Sequence, residues 1–282
     1  MPPRVAVVTD STAYLPPGLA SAHEVGVVPL HVVLGRRTGV EGRQVSPADV
    51  ADALRERRVS VSTSRPTPAE FAEAYRASGA TEVVSVHLST RLSGTHDAAL
   101  LGARDVVGEG ISVRVIDSTT LAMGLGFAVL AAARTAEAGG TGEQVAEAAR
   151  AEAAATTLLF YVDTLEHLRK GGRIGAAAAL MGTALAVKPL LHVVDGAIAP
   201  REKVRTSARA VARLEELALL AAGDAPVDVA VHHLAAPDRA ALLAARLAPR
   251  LPGLVELHVS EVGAVVGAHV GPGMLGVVVS RR

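Results

Sequence analysis

The feature that most constrains this chain is an alternation of short, β-branched apolar runs with longer stretches of helical patterning. Val5–Val8 runs into Asp10-Ser11-Thr12, Val83–Val86 precedes the polar Ser89–Thr95 segment, and Val113–Ile116 ends at Asp117-Ser118. Short apolar runs bounded by turn formers read as buried strands. A further run, Val25–Leu34, is interrupted by Pro29. Between the runs lie helix signals. Ser46 stands as an N-cap before Pro47, and Thr67-Pro68-Ala69-Glu70 repeats that device with the glutamate a capping box needs. Ala98–Arg104, Leu121–Glu137 and Thr141–Ala155 continue the helical pattern. Such alternation predicts an α/β domain with a largely parallel sheet and flanking helices. Ligands of such sheets favour the carboxyl ends of strands, the edge where all three polar clusters fall.

From Leu158 the texture changes. A strand over Leu158–Val162 leads to a short helix, the glycine turn Gly171-Gly172, and a small-residue helix from about Ile174. Pro189–Val194 and Ile198 read as a hairpin around Asp195-Gly196, a pair suited to a tight turn. A helix over Ser207–Ala222 and strands at Val227–Val231, Val255–Val259 and Leu275–Val279 complete a second α/β domain with a mixed sheet. The expected division is 1–157 and 158–282.

Composition excludes several classes of function. Half the residues are hydrophobic but only 2% are aromatic, with no tryptophan, so the core is built from Ala, Val and Leu. That leaves few plates for stacking bases, and a net charge of zero gives no basic footprint, so no nucleic-acid partner is expected. The cluster Arg55, Arg57, Arg58 reads as a solvated helix end. With no cysteine there are no disulfides, thiolate nucleophiles or cysteine-ligated zinc. No spacing matches a zinc or calcium site, and His232-His233 on one strand point to opposite faces. Val5–Val8 is too short for a signal peptide, and Ile174–Val187 falls short of the ~20 residues that span a bilayer. The expected location is the cytoplasm.

Four motifs far apart in sequence suit an anion: Thr63-Ser64-Arg65-Pro66, Leu92-Ser93-Gly94-Thr95, Gly171-Gly172-Arg173-Ile174 and His269-Val270-Gly271-Pro272-Gly273. Ser93 reads first as an N-cap; equally, a helix N-terminus there presents N–H donors to an anion, and Gly94 permits close approach. Thr63 and Ser64 on pattern alone form a surface turn. His269, in a glycine-rich bend outside any amphipathic pattern, reads as a structural histidine or as one placed to meet a carboxylate.

Taken together these blocks resemble the DegV family of fatty-acid-binding proteins. Leu168-Arg169-Lys170-Gly171-Gly172-Arg173-Ile174 is similar to a family signature, as are Val187-Lys188-Pro189-Leu190, Asp195-Gly196, Lys203-Val204-Arg205 and the Gly267–Gly276 end. The resemblance implies a two-domain DegV-like fold with a lipid site between the domains. It implies that Thr63, Ser93, Gly94 and His269 bind the fatty-acid carboxylate, with Ser64 and Arg65 secondary to them. Arg65 stands where the family commonly has Gln, His96 where it often has Tyr, and Val270 where Thr is usual. The implied function is a carrier: it binds a long-chain fatty acid and presents its carboxylate to a separate ATP-dependent fatty acid kinase. It then carries the acyl-phosphate to phospholipid synthesis, with transient contact at a membrane surface. Arg173, Lys188, Arg201, Lys203 and Arg205 read equally as a basic face that docks the kinase, with Arg173 and Arg205 as its docking candidates, or as ordinary solvated residues. No cofactor or metal is expected, and the chain lacks a phosphate-binding Gly-x-x-x-x-Gly-Lys loop. The alternative is an enzyme domain like those of dihydroxyacetone kinases, acting on a small carbonyl compound through His269. A Ser93–His269 hydrolase is a weaker alternative, because Arg91-Leu92-Ser93-Gly94 is not a nucleophile elbow.

Overall fold

The structure is a computed structural model that describes residues 5–56, 59–180 and 188–282. Arg57, Arg58, Val187 and the later part of the helix expected from Ile174 lie outside the described residues. The chain divides into two compact units, one of Met1–His31 with Ser64–Ala155, the other of Val32–Thr63 with Thr156–Arg282. The segment 32–63, placed by sequence with the N-terminal half, therefore groups with the C-terminal half.

In chain order the elements are β1 (Val5–Asp10), α1 (Leu19–Ala22), β2 (Gly26–Val28), β3 (His31–Leu34), β4 (Arg37–Val40), α2 (Pro47–Glu56) and β5 (Val61–Ser64). They continue with α3 (Pro68–Ala77), β6 (Glu82–His87), α4 (Thr95–Val106), β7 (Ser112–Asp117), α5 (Met123–Glu137) and α6 (Gly142–Ala155). The second half holds β8 (Thr156–Tyr161), α7 (Glu166–Lys170), β9 (Lys188–Val194), β10 (Ala197–Val204), α8 (Ser207–Ala222) and β11 (Val227–His233). The last elements are α9 (Pro237–Leu247), β12 (Leu254–Glu261), α10 (Ala264–Val270) and β13 (Leu275–Arg281).

The first unit is a parallel sheet in the order β2-β1-β6-β7. Its central strands β1 and β6 are buried almost throughout, without alternation, because both faces are covered. On one face Val84, Val86 and Ile116 meet Leu125, Val129, Val145 and Ala149 of α5 and α6. On the other, Val8, Val28 and Val83 meet Phe71 and Tyr75 of α3 and Ala98, Ala99 and Ala103 of α4. With so few aromatics, volume is matched by bringing helices close. A Cβ on Gly102 of α4 would stand 2.6 Å from the Pro68 carbonyl and 2.8 Å from Phe71 Cβ, so only glycine lets α3 and α4 approach this far.

At the carboxyl ends of β1 and β6 the unit buries a polar chain. Asp10 and His87 are wholly inaccessible, and Asp10 accepts from Thr12 N, Thr12 Oγ1 and Leu88 N. Asp10 Oδ2 lies 3.0 Å from His87 Nδ1, His87 Nε2 lies 2.6 Å from Ser85 Oγ, and Ser85 Oγ lies 3.0 Å from Tyr75 OH. Tyr75 OH donates onward to the Ala99 carbonyl of α4. Burial of these groups is tolerable because each is hydrogen-bonded. They tie β1, β6, α3 and α4 into one frame.

The second unit holds a six-stranded mixed sheet ordered β10-β9-β8-β13-β11-β12, and the segment 32–63 adds most of a three-stranded sheet ordered β4-β3-β5. Helices α8 and α9 cover one face, setting Leu214, Leu217, Leu243 and Leu247 on Leu159, Tyr161, Val229, Val231, Val277 and Val279. The β9–β10 hairpin turns on Asp195 and Gly196 at φ 49° and 77°, the positive pair that such a turn demands. His232 pairs across the ladder with Ser260 and His233 with Glu261, so the two rings do face opposite sides.

Candidate functional site

Thr63 sits on β5, and His269 in the last turn of α10. Sequence reading put His269 in a glycine-rich bend; the structure corrects this to a short helix closed by Gly271 at φ 76°. The helix shows no polar face because Ala264–Ala268 and Val270 are all buried. Thr63 Oγ1 lies 2.9 Å from His269 Nε2, so two residues 206 apart in sequence form one pair. Among the described residues, His269 Nδ1 is buried without a hydrogen-bond partner.

Burial, and secondarily the Arg173 cation, push the His269 pKa down to about 4, so the ring is neutral at pH 7. Arg173 is half-buried and donates from Nη1 to the Gly171 carbonyl at 2.6 Å. Expected from sequence as a docking residue, it thus lies within electrostatic reach of the imidazole. Arg205 is exposed. Gly171 at the end of α7 packs directly against the ring: a Cβ there would stand 2.6 Å from His269 Cε1 and closer still to Nδ1. The arrangement is reciprocal, since a Cβ on Gly271 would meet the His167 ring. Gly171 and Gly271 are therefore packing requirements of two histidines. Sequence reading singled out His269 but not His167, which lies four residues before Gly171.

In the first unit, the residue at the N-cap of α4 is Gly94, which corrects the expectation for Ser93. The Ser93 hydroxyl instead lies 2.8 Å from Thr95 Oγ1 and accepts from Thr95 N at 3.3 Å, so it is half-buried beside the helix start. Gly94 lies under the Arg65 side chain, where a Cβ would meet the guanidinium. Ser64 is exposed and donates to the Arg65 carbonyl at 3.3 Å. Sequence reading noted His96 only as a departure from the family. Its Nδ1 is the second buried side-chain atom without a hydrogen-bond partner among the described residues, with Asp97 Oδ1 3.9 Å away.

Chemically, the Thr63–His269 pair is a neutral hydroxyl–imidazole set with a cation nearby, suited to an anion's oxygen atoms. It is poorly suited to base catalysis. A pKa near 4 makes the imidazole a weak base at neutral pH, and among the described residues no side chain orients it through Nδ1. Among the described residues, no group of three histidines or carboxylates converges as a metal site requires, and no helix is long and apolar enough to cross a membrane.

Comparison with known proteins places this geometry in context. A DegV domain-containing protein of Streptomyces coelicolor is 60% identical over 281 residues, covering 99% of both chains. A solved structure of a fatty-acid-binding DegV family protein from Thermus thermophilus matches with a TM-score of 0.92 at 31% identity, over 99% of this chain and all of that one. The structure of DegV, a fatty acid binding protein from Bacillus subtilis, matches at 0.91 with 32% identity over the same shares. The family profile described as uncharacterised protein, DegV family, matches residues 4–282, and this chain belongs to the DegV family.

Proposed function

We propose that this protein binds a long-chain fatty acid in the cytoplasm, without metal or cofactor, and holds its carboxylate with Thr63 and His269. The observation that carries the reading is the Thr63–His269 pair, whose imidazole is neutral and whose buried Nδ1 has no hydrogen-bond partner among the described residues. It stands in a chain that matches structures described as fatty-acid-binding along nearly its whole length. Ser93 and Gly94 of the first unit are the further carboxylate-binding residues of this reading, with Ser64 and Arg65 secondary to them.

An ionised carboxylate needs several converging donors before burial becomes tolerable. The acyl chain supplies most of the affinity, at roughly 0.8 kcal/mol for each buried methylene. Native mass spectrometry of the purified protein tests the reading. A bound species with the mass of a fatty acid, released on denaturation, or uptake of added palmitate or oleate, is the expected result. A protein that carries no lipid and refuses both acids overturns it and favours the small-carbonyl reading.

The same proposal extends to a carrier role. The protein presents the carboxylate to a separate ATP-dependent fatty acid kinase, then delivers the acyl-phosphate to phospholipid synthesis at a membrane surface. Arg173 and Arg205 are the proposed docking residues, and the structure separates their expected effects. Arg205→Glu lowers turnover with the kinase and leaves fatty-acid loading intact. Arg173→Glu alters both, because Arg173 also acts on the His269 imidazole. Unchanged turnover in both variants refutes the docking assignment.

A further inference from the structure

Helix α10 has seven residues, too few to be stable by itself, and its N-cap is Gly263, which makes no side-chain capping bond. The first N–H groups of a helix need partners nevertheless. One is supplied from 224 residues away: Val265 N donates to Glu41 Oε1 at 2.7 Å, with Glu41 only 6% exposed. The middle of α10 packs on α2, where a Cβ on Gly267 would lie 3.8 Å from Val50 Cγ1. The last turn meets Thr63 through His269 Nε2. Glu41, Val50 and Thr63 all belong to the segment 32–63, which reaches α10 at its start, its middle and its end.

We infer that Glu41 is a positioning residue for His269, and that the segment 32–63 clamps α10 so that the imidazole meets its ligand in one orientation. The affinity consequence rests on the proposed fatty-acid site, but the positioning itself does not. It is read in the ligand-free, full-length protein as the titration of the His269 ring, followed by NMR in histidine-labelled samples and assigned through His269→Gln.

Two effects of removing Glu41 have opposite signs. Losing a nearby negative charge lowers a histidine's pKa, whereas loosening α10 admits water and raises it. The clamp therefore predicts that Glu41→Ala moves the ring upward by about one unit from its depressed value. Leu243→Ala, a core truncation in α9, serves as the control and leaves the His269 titration in place although it destabilises the protein. Should Glu41→Ala not fold, Glu41→Asp decides the matter. It keeps the charge but draws the carboxylate back from Val265, and a smaller upward movement is expected. An unmoved or lowered His269 pKa in the folded variant overturns the inference. So does a Leu243→Ala control that moves the ring equally. With palmitate as probe, Glu41→Ala weakens binding about tenfold, the scale of one hydrogen bond to a charged ligand. If the wild type binds no palmitate, the fatty-acid reading fails while the titration still judges the clamp.

Discussion

Replacing Gly171 by alanine is the sharpest test of how His269 is held. The backbone there is right-handed, with φ −76°, so a methyl group brings no backbone strain of its own. It would stand 2.6 Å from His269 Cε1, whereas ordinary contact begins near 3.4 Å, so the ring must retreat. Moving it draws Nε2 away from Thr63 Oγ1, now 2.9 Å distant. Overpacking costs about 1–3 kcal/mol and the lost hydrogen bond about 0.5–1.5 kcal/mol, so thermal unfolding should fall by several degrees. Affinity for a fluorescent fatty acid, read by displacement with palmitate, should fall at least about tenfold. Gly172→Ala is the matched control. Its φ of 71° makes alanine strained by about 1 kcal/mol, yet a Cβ there meets nothing within 4 Å. It should lose stability and keep its affinity. Equal fatty-acid affinity in Gly171→Ala and the wild type would refute the argument that this glycine positions the imidazole.

Two further outcomes concern stability. His269 and His232 are both held down to about 4, chiefly by burial, against about 6.5 in an unfolded chain. As pH falls below about 6.5 the unfolded state takes up protons first, so their stabilisation, complete above that pH, is lost progressively towards pH 4. Each ring contributes up to roughly 3 kcal/mol to that loss, so urea midpoints should drop between pH 7 and pH 5, and less steeply in His232→Gln. In the first unit, His87→Ala leaves the Asp10 carboxylate buried without its imidazole partner and should cost about 3–5 kcal/mol in urea unfolding. A loss under about 1 kcal/mol would show that this chain of polar groups adds little.

Much of the fold was legible because local signals and tertiary structure agree. The Thr67–Glu70 capping box, the Asp195-Gly196 hairpin and the helix over Ser207–Ala222 form as the residues dictate. Helix α10 was not legible as a helix, because an element buried on every side carries no periodicity to detect. The Ser93 assignment slipped by one residue because a serine beside a helix start can bond Thr95 N without occupying the cap. Of the site, the residue types were visible but not their meeting. Nothing local in Thr63 or His269 announces a contact spanning most of the chain, and no sequence motif singles out Glu41. Pattern left Thr63 and His269 open between structural and binding readings, the family resemblance chose the binding one, and neither said anything of Glu41.

The excursion of residues 32–63 into the second unit has a consequence for how the protein is made. On a ribosome these residues emerge before the first sheet has received β6 and β7, and well before β8 begins the sheet of their own unit. Their partners on α10 arrive much later, with more than two hundred residues between Glu41 and Val265. Closing so long a loop is entropically costly and is rewarded only once the distant strands have formed. The second unit therefore completes only once α10 and β13 have been made, and a fragment beginning at Thr156 lacks the cap of α10 and the partner of His269. Truncation at the obvious boundary would yield a sheet without its site.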